Sequence, residues 1–174
     1  MTIIINDQIY LDEIRASDKG ACVEHFREKE IYDRTLRIPY PYTEQHFDEF
    51  FALVQQTAQQ RPLTAWAIRR RDGFLIGGLG FEGLGSSHRA EIGYWLAKPY
   101  WGRGIMTDVV RKACVFAFDQ YDLAKITAGV FAGNAASARV LEKCGFVREG
   151  YLRKHYLKGG RFIDAQLYSL LKDV

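Results

Sequence analysis

The sequence predicts an α/β fold with a mixed sheet, and one continuous stretch gives the strongest support. Residues 90–96 are apolar and aromatic, which is typical of a strand, and the short glycine loop Trp101–Gly104 follows them. Apolar side chains then recur at intervals of three and four over residues 105–120, which indicates a helix. Residues 124–131 form a second β-rich run. Because a helical crossover joins parallel strands, we expect these two strands to be parallel. Turn signals elsewhere predict antiparallel hairpins.

Length and charge narrow the class of protein. The chain has 174 residues, which is enough for a single domain over 1–174 with a sizeable core. A net charge of +3 gives no support for nucleic-acid binding. The longest basic run, Arg69–Arg71, is predicted to be a solvated strand end. The first residues contain neither a basic leader nor a long apolar run, so we expect neither a signal peptide nor a membrane span.

The cysteines indicate a reducing compartment. There are three of them, Cys22, Cys114 and Cys144, and their spacing does not match a metal site. An odd number of scattered cysteines predicts reduced thiols in a cytoplasmic protein without a bound metal.

The N-terminal part predicts one strand and two helices. Residues 8–15 alternate in character, as a strand does, and a helix follows Ser17–Asp18, either of which would cap it. Prolines in the loop 32–42 forbid a helix there. Thr43 opens a second helix. Its predicted apolar face comprises Phe47, Phe50, Phe51 and Val54. The aromatic loop forms either a lid or wall of a site, or a packed connector.

The middle of the chain predicts a hairpin. Residues 64–70 and 74–81 flank Asp72–Gly73, which is a turn signal. The second of these strands contains three glycines, Gly77, Gly78 and Gly80. Glycines inside a strand indicate either a bulge or a close approach of another backbone.

The C-terminal part predicts a short helix and a second hairpin. Asn134 is a suitable N-cap for a helix over 135–144, and Gly145 is suited to end it. Lys158–Arg161 contains two consecutive glycines and joins the last two predicted strands. The chain shows no internal repeat and no linker.

The glycine loop is suited to bind a phosphate. A helix begins after it, and the first turn of a helix has unpaired N–H groups and the positive end of the dipole. Gly102 and Gly104 allow a ligand to approach the backbone closely. The loop matches neither the nucleotide-binding P-loop nor the dinucleotide fingerprint. The alternative is that the two glycines only allow a tight turn.

The order of elements, with Trp-Gly-Arg-Gly-Ile-Met at 101–106 and the run from Asn134 to Phe146, resembles the GNAT superfamily of acyl-CoA-dependent N-acetyltransferases. The chain most resembles the branch that contains the ribosomal-protein N-terminal acetyltransferases, and the ending Gly160–Asp164 fits that branch. The resemblance implies a mostly antiparallel sheet of six to seven strands, a splayed parallel pair and about four helices.

The resemblance also implies that acetyl-CoA is the cosubstrate, without a metal. Its pantetheine arm would pair with the backbone around Trp95 and Leu96, and its pyrophosphate would lie on the N–H groups of residues 102–107. Asn134 would hold the pantetheine near the thiol, or serve as a plain helix cap, or do both. The expected cofactor-binding residues are Trp95, Leu96, Trp101, Gly102, Arg103, Gly104, Ile105, Met106, Thr107, Asn134 and Ser137.

Two loop positions depart from the family pattern. Trp101 stands where the family usually has Gln or Arg, and Met106 stands where a small residue is usual. Neither change removes a backbone donor. Leu141 occupies the place of the catalytic Tyr that many members carry in the last helix.

The expected catalytic residues are Glu91, Ser137 and His155. Transfer is expected to be direct, because none of the cysteines is suited to be a nucleophile. Ser137 matches a Ser of the ribosomal-protein branch, which implies that it donates a hydrogen bond to the leaving sulfur. The alternative is that Ser137 is only a small residue facing the sheet. One interpretation of Glu91 is that it is the general base, with a pKa raised by burial. The alternative is that it is only a carboxylate at a strand edge. His155 is the rival base, or an exposed strand residue among cations.

The acceptor is expected to be a primary amine, either a protein or peptide N-terminal α-amine or a small amine such as a polyamine, amino acid or drug. Tyr32, Arg34, Tyr40 and Tyr42 are candidates to line its pocket. Two alternatives are a non-catalytic acyl-CoA-binding regulator and a structural interaction domain. The protein is expected to be a monomer or a homodimer.

Overall fold

The computed structural model describes residues 2–60 and 64–172, so both ends of the predicted 1–174 domain lie outside the described residues. Their contacts divide the chain into two compact units. The first comprises Met1–Phe81 with Tyr94–Ile105, and the second comprises Glu82–Gly93 with Met106–Val174.

The strands are β1 (Ile3–Ile4), β2 (Ile9–Asp12), β3 (Ala65–Arg70), β4 (Leu75–Glu82), β5 (Arg89–Leu96), β6 (Lys125–Phe131), β7 (Val147–Lys158) and β8 (Arg161–Leu171). The helices are α1 (Lys19–His25), α2 (Lys29–Arg34), α3 (Glu44–Gln60), α4 (Ile105–Gln120) and α5 (Ala135–Lys143). Short 3₁₀ turns precede α1 and the glycine loop. The predicted mixed α/β fold is confirmed, and β1 and α2 are additional to the elements that the sequence predicts.

The strands of each unit follow a simple order. In the first unit β1, β2, β3 and β4 lie side by side, and each strand pairs antiparallel with the next. In the second unit the order is the first part of β5 (residues 89–93), then β6, β8 and β7, and β8 pairs antiparallel with both neighbours. β5 and β6 form the predicted parallel pair. Their pairing joins 89–91 with 125–127 and ends there, although β6 continues to Phe131.

The first unit buries an aromatic and aliphatic core. Phe47 of α3 and Ile31 of α2 pack with Phe26, just after α1, in a cluster that includes Leu75 of β4. The prediction that Phe50 shares the buried face of α3 is wrong, because its side chain is 41% exposed. The prediction that no helix forms anywhere in 32–42 is also partly wrong. α2 continues to Arg34, and the prolines act only beyond it.

Arg69 corrects the prediction that the basic run is solvated. Its side chain is almost fully buried and forms ion pairs with Asp12 and Asp18. The two terminal nitrogens of the guanidinium donate to the two oxygens of Asp18, at 2.7 and 2.8 Å. Asp18 is therefore not the side-chain cap of α1. It accepts instead from Arg69 and from the backbone N–H of Arg15, which satisfies the buried charges in the way that such charges require.

The second unit forms as the sequence predicts. α4 runs over 105–120 and buries its apolar face, and β6 is buried on both sides of the exposed Gly129. The side chain of Asn134 caps α5, and Gly145 ends it with a φ of 88°. Among the described residues, no helix has the length and apolar character that crossing a bilayer requires. No cluster of acidic, His and Cys side chains within the described ranges could hold a metal ion.

Candidate active site

The glycine loop has the geometry that a backbone-binding site needs. Gly102 and Gly104 have φ values of 75° and 78°, which favour glycine. Nothing lies within 4 Å of the point where a Cβ on either residue would stand. α4 begins at Ile105, so its first-turn N–H groups follow directly. A phosphate is the ligand that such a helix start is suited to hold.

Trp101 supports this loop through its side chain. Its indole Nε1–H donates to the carbonyl oxygen of Leu96 at 2.7 Å, and its backbone N–H donates to the carbonyl oxygen of Lys98. The guanidinium of Arg34 lies over the indole ring, 4.6 Å from its centroid. Both N–H groups of Trp101 are therefore engaged within the protein, which makes Trp101 a support for the loop rather than a donor to a ligand.

Trp95 explains the glycines of β4. A Cβ on Gly78 would stand 2.5 Å from the indole Nε1 of Trp95, and one on Gly77 would stand 2.6 Å from its carbonyl oxygen. Both distances are too short for any side chain, so these glycines allow a close approach. The β3–β4 register also shifts at Ile68 and Arg69, so the bulge predicted as the alternative is present as well.

α2 and the residues after it pack against the beginning of the glycine loop. Lys98 pairs with Glu30 at 2.6 Å and with Glu28 at 3.3 Å. Arg34 reaches Trp101, as described above, and the rings of Tyr32 and Tyr40 lie 5.6 Å apart. The predicted wall and the predicted packed connector are therefore compatible, because the same segment packs and presents aromatic rings.

Cations surround a cavity beside the loop. The cavity has a volume of about 490 Å³. It is lined by Gln8, Ile9, Arg70, Arg71, Asp72, Tyr100, Arg103 and Ile105. Asp72 pairs with Arg70, which leaves an excess of positive charge among the lining residues. Positive charge next to the positive end of α4 favours an anionic ligand.

In the second unit, Glu91 and Tyr156 meet at Gly129. A Cβ on Gly129 would overlap the Tyr156 hydroxyl and would stand 3.6 Å from Oε1 of Glu91. Gly129 lies two residues beyond the last β6 residue that pairs with β5. The hydroxyl therefore occupies the space that any other residue at position 129 would fill, beside the carboxylate of Glu91. Glu91 is itself exposed, so the burial expected from the sequence is absent.

A bulge in β7 positions His155 and Tyr156. The register shifts between Leu152 and Tyr156, and Lys154 within this segment has a φ of 50°. Asp164 of β8 accepts from the backbone N–H of Lys154 at 2.7 Å and from the Tyr151 hydroxyl at 2.9 Å. These hydrogen bonds, the Lys154 N–H first, lower the pKa of Asp164. Bulges of this kind redirect side chains near active sites.

His155 is exposed, and its ring packs edge-on against that of Tyr156, with centroids 4.6 Å apart. Each of the two candidate bases therefore lies close to Tyr156, a residue that the sequence did not indicate. The available signal was Gly129, a glycine inside an otherwise apolar strand, because such a glycine indicates a close approach.

Asn134 and Ser137 lie at the start of α5. Oδ1 of Asn134 accepts from the backbone N–H of Ser137 at 3.2 Å, so the cap is confirmed. The cap uses one of the two polar side-chain atoms of Asn134. Ser137 is half-buried in the first turn of the helix.

The cysteines are poor nucleophiles. Burial raises the pKa of Cys22 and of Cys114 to about 12. Burial also raises the pKa of Cys144, whose Sγ donates to the carbonyl oxygen of Thr107. Because the thiolate is the reactive form, these three thiols offer little nucleophile near neutral pH.

Comparison with known proteins gives consistent matches. A family model described as acetyltransferase (GNAT) domain matches residues 8–147. The chain is 33% identical over 175 residues to the uncharacterized N-acetyltransferase YoaA of Bacillus subtilis (strain 168), covering 98% of this chain and 97% of YoaA. It is 26% identical to the spermidine N(1)-acetyltransferase of Vibrio cholerae, covering 97% and 95% of the two chains.

A crystal structure of the ribosomal-protein-S5-alanine acetyltransferase from Vibrio fischeri superposes with a TM-score of 0.84 at 21% identity, covering 99% of this chain and 97% of that one. At this identity the likeness establishes the fold.

Proposed function

The chain belongs to the GNAT acetyltransferase family and is an acetyl-CoA-dependent N-acetyltransferase; on that premise we propose that its acceptor is the N-terminal α-amine of a protein or peptide. We also propose that the whole chain is one acetyltransferase domain. The alignment with YoaA over 98% of this chain supports that extent.

The ion pairs around α2 are the observation that carries the proposed acceptor. Glu28 and Glu30 share Lys98, and Lys29 pairs with Asp33. A polyamine carries several positive charges, so it would have to compete with Lys29 and Lys98 for these carboxylates. The aromatic surface of Tyr32 and Tyr40 beside these paired carboxylates suits the apolar groups of a peptide instead.

Acetyl-CoA supplies the activated thioester. We assign its pyrophosphate to the backbone from Gly102 to Thr107, and the excess positive charge of the cavity that includes Arg103 supports this assignment. The pantetheine arm is assigned to the backbone of Trp95 and Leu96 and to the amide of Asn134. The Leu96 carbonyl already accepts from Trp101, so it has one remaining lone pair for the arm.

Glu91 is the proposed general base, because it lies beside Gly129, where the parallel strands have stopped pairing. Its exposure lets an amine reach the carboxylate directly. Ser137 is the proposed hydrogen-bond donor to the leaving sulfur. His155 is the weaker candidate base, since Tyr156 rather than His155 reaches the space over Gly129. The raised pKa values of Cys22 and Cys114 support direct transfer in a ternary complex.

A small amine is the second candidate acceptor. The similarity to a spermidine acetyltransferase over 97% of this chain favours it. The carboxylates around α2 argue against it, because they are already paired with lysines.

An acceptor panel tests the proposal. Release of CoA is measured with a lysine-free peptide that has a free N-terminus, with the same peptide N-acetylated and carrying one lysine, and with spermidine and free amino acids. We expect kcat/KM for the free N-terminus to exceed the others by about tenfold or more, equivalent to about 1.4 kcal/mol. A preference for spermidine or for the lysine side chain would contradict the proposed acceptor.

A further inference from the structure

Three neighbours, Phe131, His155 and Gly129, fix the position of the Tyr156 hydroxyl. Its ring packs 5.4 Å from that of buried Phe131 and 4.6 Å from that of His155. Gly129 leaves room for the hydroxyl, which occupies the space where a Cβ would be. The hydroxyl oxygen therefore has a defined position next to the carboxylate of Glu91, and this position is what a proton-transfer role requires.

The β7 bulge is what brings this oxygen to β6. β7 pairs with β8 and not with β6, so Tyr156 must reach past β8 to lie over Gly129. Leu152 opposes Ala165 and Tyr156 opposes Ile163, so four residues of β7 span the length of two on β8. Asp164 stabilises the extra residues through the Lys154 N–H. A bulge with this support is a specific feature of a strand rather than a defect.

We propose that Tyr156 is the general acid of the acetyl transfer, paired with Glu91 as base. The proposal rests on the proposed function of Glu91. It also accounts for Leu141, which stands in α5 where many family members carry their catalytic tyrosine. Here the phenol comes from β7. A phenol with an ordinary pKa of about 10 donates a proton far more readily than a serine hydroxyl does.

The protons balance over one turnover. The neutral amine nitrogen attacks the thioester carbon, and the new N–C bond leaves the nitrogen positively charged. Glu91 takes one proton from that nitrogen. The C–S bond then breaks, its electron pair goes to sulfur, and the Tyr156 hydroxyl gives its proton to the thiolate. The phenolate recovers a proton from the Glu91 carboxylic acid, so that one proton has moved from amine to sulfur and both side chains are restored.

Tyr156→Phe tests the role, because it removes one oxygen and keeps the ring contacts. We expect kcat to fall by about 100-fold while the KM for acetyl-CoA stays within about twofold. Tyr121→Phe is the matched control. Tyr121 is a half-buried tyrosine of the same unit, and its ring contacts Phe116. Its loss of a hydroxyl should leave kcat within about twofold. A Tyr156→Phe variant with the kcat of the control would overturn the proposal.

Gly129→Ala independently tests whether turnover depends on the position of the Tyr156 hydroxyl. Its Cβ would displace the hydroxyl, so we expect kcat to fall by about tenfold or more in the wild type and by less than about twofold in the Tyr156→Phe background. An equal loss in both backgrounds would mean that the alanine acts on folding, and it would count against the placement of the hydroxyl. All rates are measured with the amine that the wild type acetylates fastest. A wrong acceptor class would then overturn the proposed acceptor without changing the result for Tyr156.

Discussion

The loop from Trp101 to Thr107 offers backbone N–H groups from one continuous segment, whereas the cluster around Gly129 brings together residues of three strands. The shape of the loop depends on two glycines with positive φ and on the start of α4. The cluster depends on β5, β6 and β7 and on the bulge that redirects Tyr156. Because the two parts have separate structural origins, we expect substitutions to separate cofactor binding from chemistry.

The largest effect is expected from Gly104→Val, which distorts the backbone of the glycine loop. A valine strongly disfavours the φ of 78°, so the backbone must move and its donors with it. In the wild type, acetyl-CoA at a hundredfold excess over its Kd should stabilise the fold by about 2.7 kcal/mol. The variant should show no acetyl-CoA-dependent rise in Tm.

The control for this prediction is Gly160→Val in the β7–β8 hairpin. Gly160 has a φ of 75°, and nothing lies within 4 Å of the point where its Cβ would stand, so the backbone strain is matched. It should lower Tm by a similar amount and keep the acetyl-CoA shift. Loss of the shift in both variants would show that strain anywhere abolishes binding, and the specific role of the loop would be lost.

Glu91→Gln removes the proposed base from the cluster around Gly129 and should have the next largest effect. A base works only when deprotonated, so wild-type turnover should rise with pH through its titration. The amide should lower kcat by about 100-fold and flatten this acid limb, whereas His155→Gln should lower kcat by less than about threefold. If His155→Gln is the more damaging, His155 is the base. If both variants keep the wild-type profile, the proton leaves through water.

Ser137→Ala should have a smaller effect. The alanine keeps the backbone N–H that Asn134 accepts from, so the cap of α5 is preserved and only the hydroxyl is lost. We expect kcat to fall by about threefold to tenfold, with the KM for acetyl-CoA within a few-fold, because the hydrogen bond to sulfur strengthens as the thiolate forms. Unchanged kcat under conditions where chemistry limits the rate would make Ser137 a packing residue.

The smallest effect is expected from thiol-modifying reagents. The pKa values of Cys22 and Cys114, about 12, leave few thiolates at pH 8, and reactivity should rise only as the pH approaches those values. Treating the native enzyme at pH 8 should change turnover by less than about twofold, while all three thiols of the unfolded chain react. Inactivation that tracks modification of one cysteine would contradict direct transfer.

The same contrast explains what the sequence could predict. The glycine loop and α4 are determined by neighbouring residues, so spacing and glycine positions were sufficient to predict helix bounds of 105–120. Arg69 and Phe50 were misassigned because burial depends on partners that are distant in sequence. Asp12 lies 57 residues from Arg69, and no local sequence pattern predicts an ion pair between them.

Tyr156 was missed for a related reason. Simple strand alternation relates each residue of β7 to its neighbours by a period of two. The positive φ of Lys154 and the register shift after Leu152 break that period. The support for this break comes from Asp164, on the opposite strand of the hairpin. Glu91 and His155 could therefore be predicted as rivals from the sequence, but Tyr156, which lies close to both, could not.

The most direct test of the account measures acetyl-CoA binding and a single turnover in the same Glu91→Gln sample. Titration calorimetry gives the Kd for acetyl-CoA, and rapid quench gives the rate at which enzyme-bound acetyl-CoA acetylates the peptide α-amine. If Glu91 is the base, we expect a Kd within about twofold of wild type and a chemical step slower by about 100-fold. A weakened Kd with an unchanged chemical step would contradict it, because Glu91 would then belong to binding rather than to chemistry.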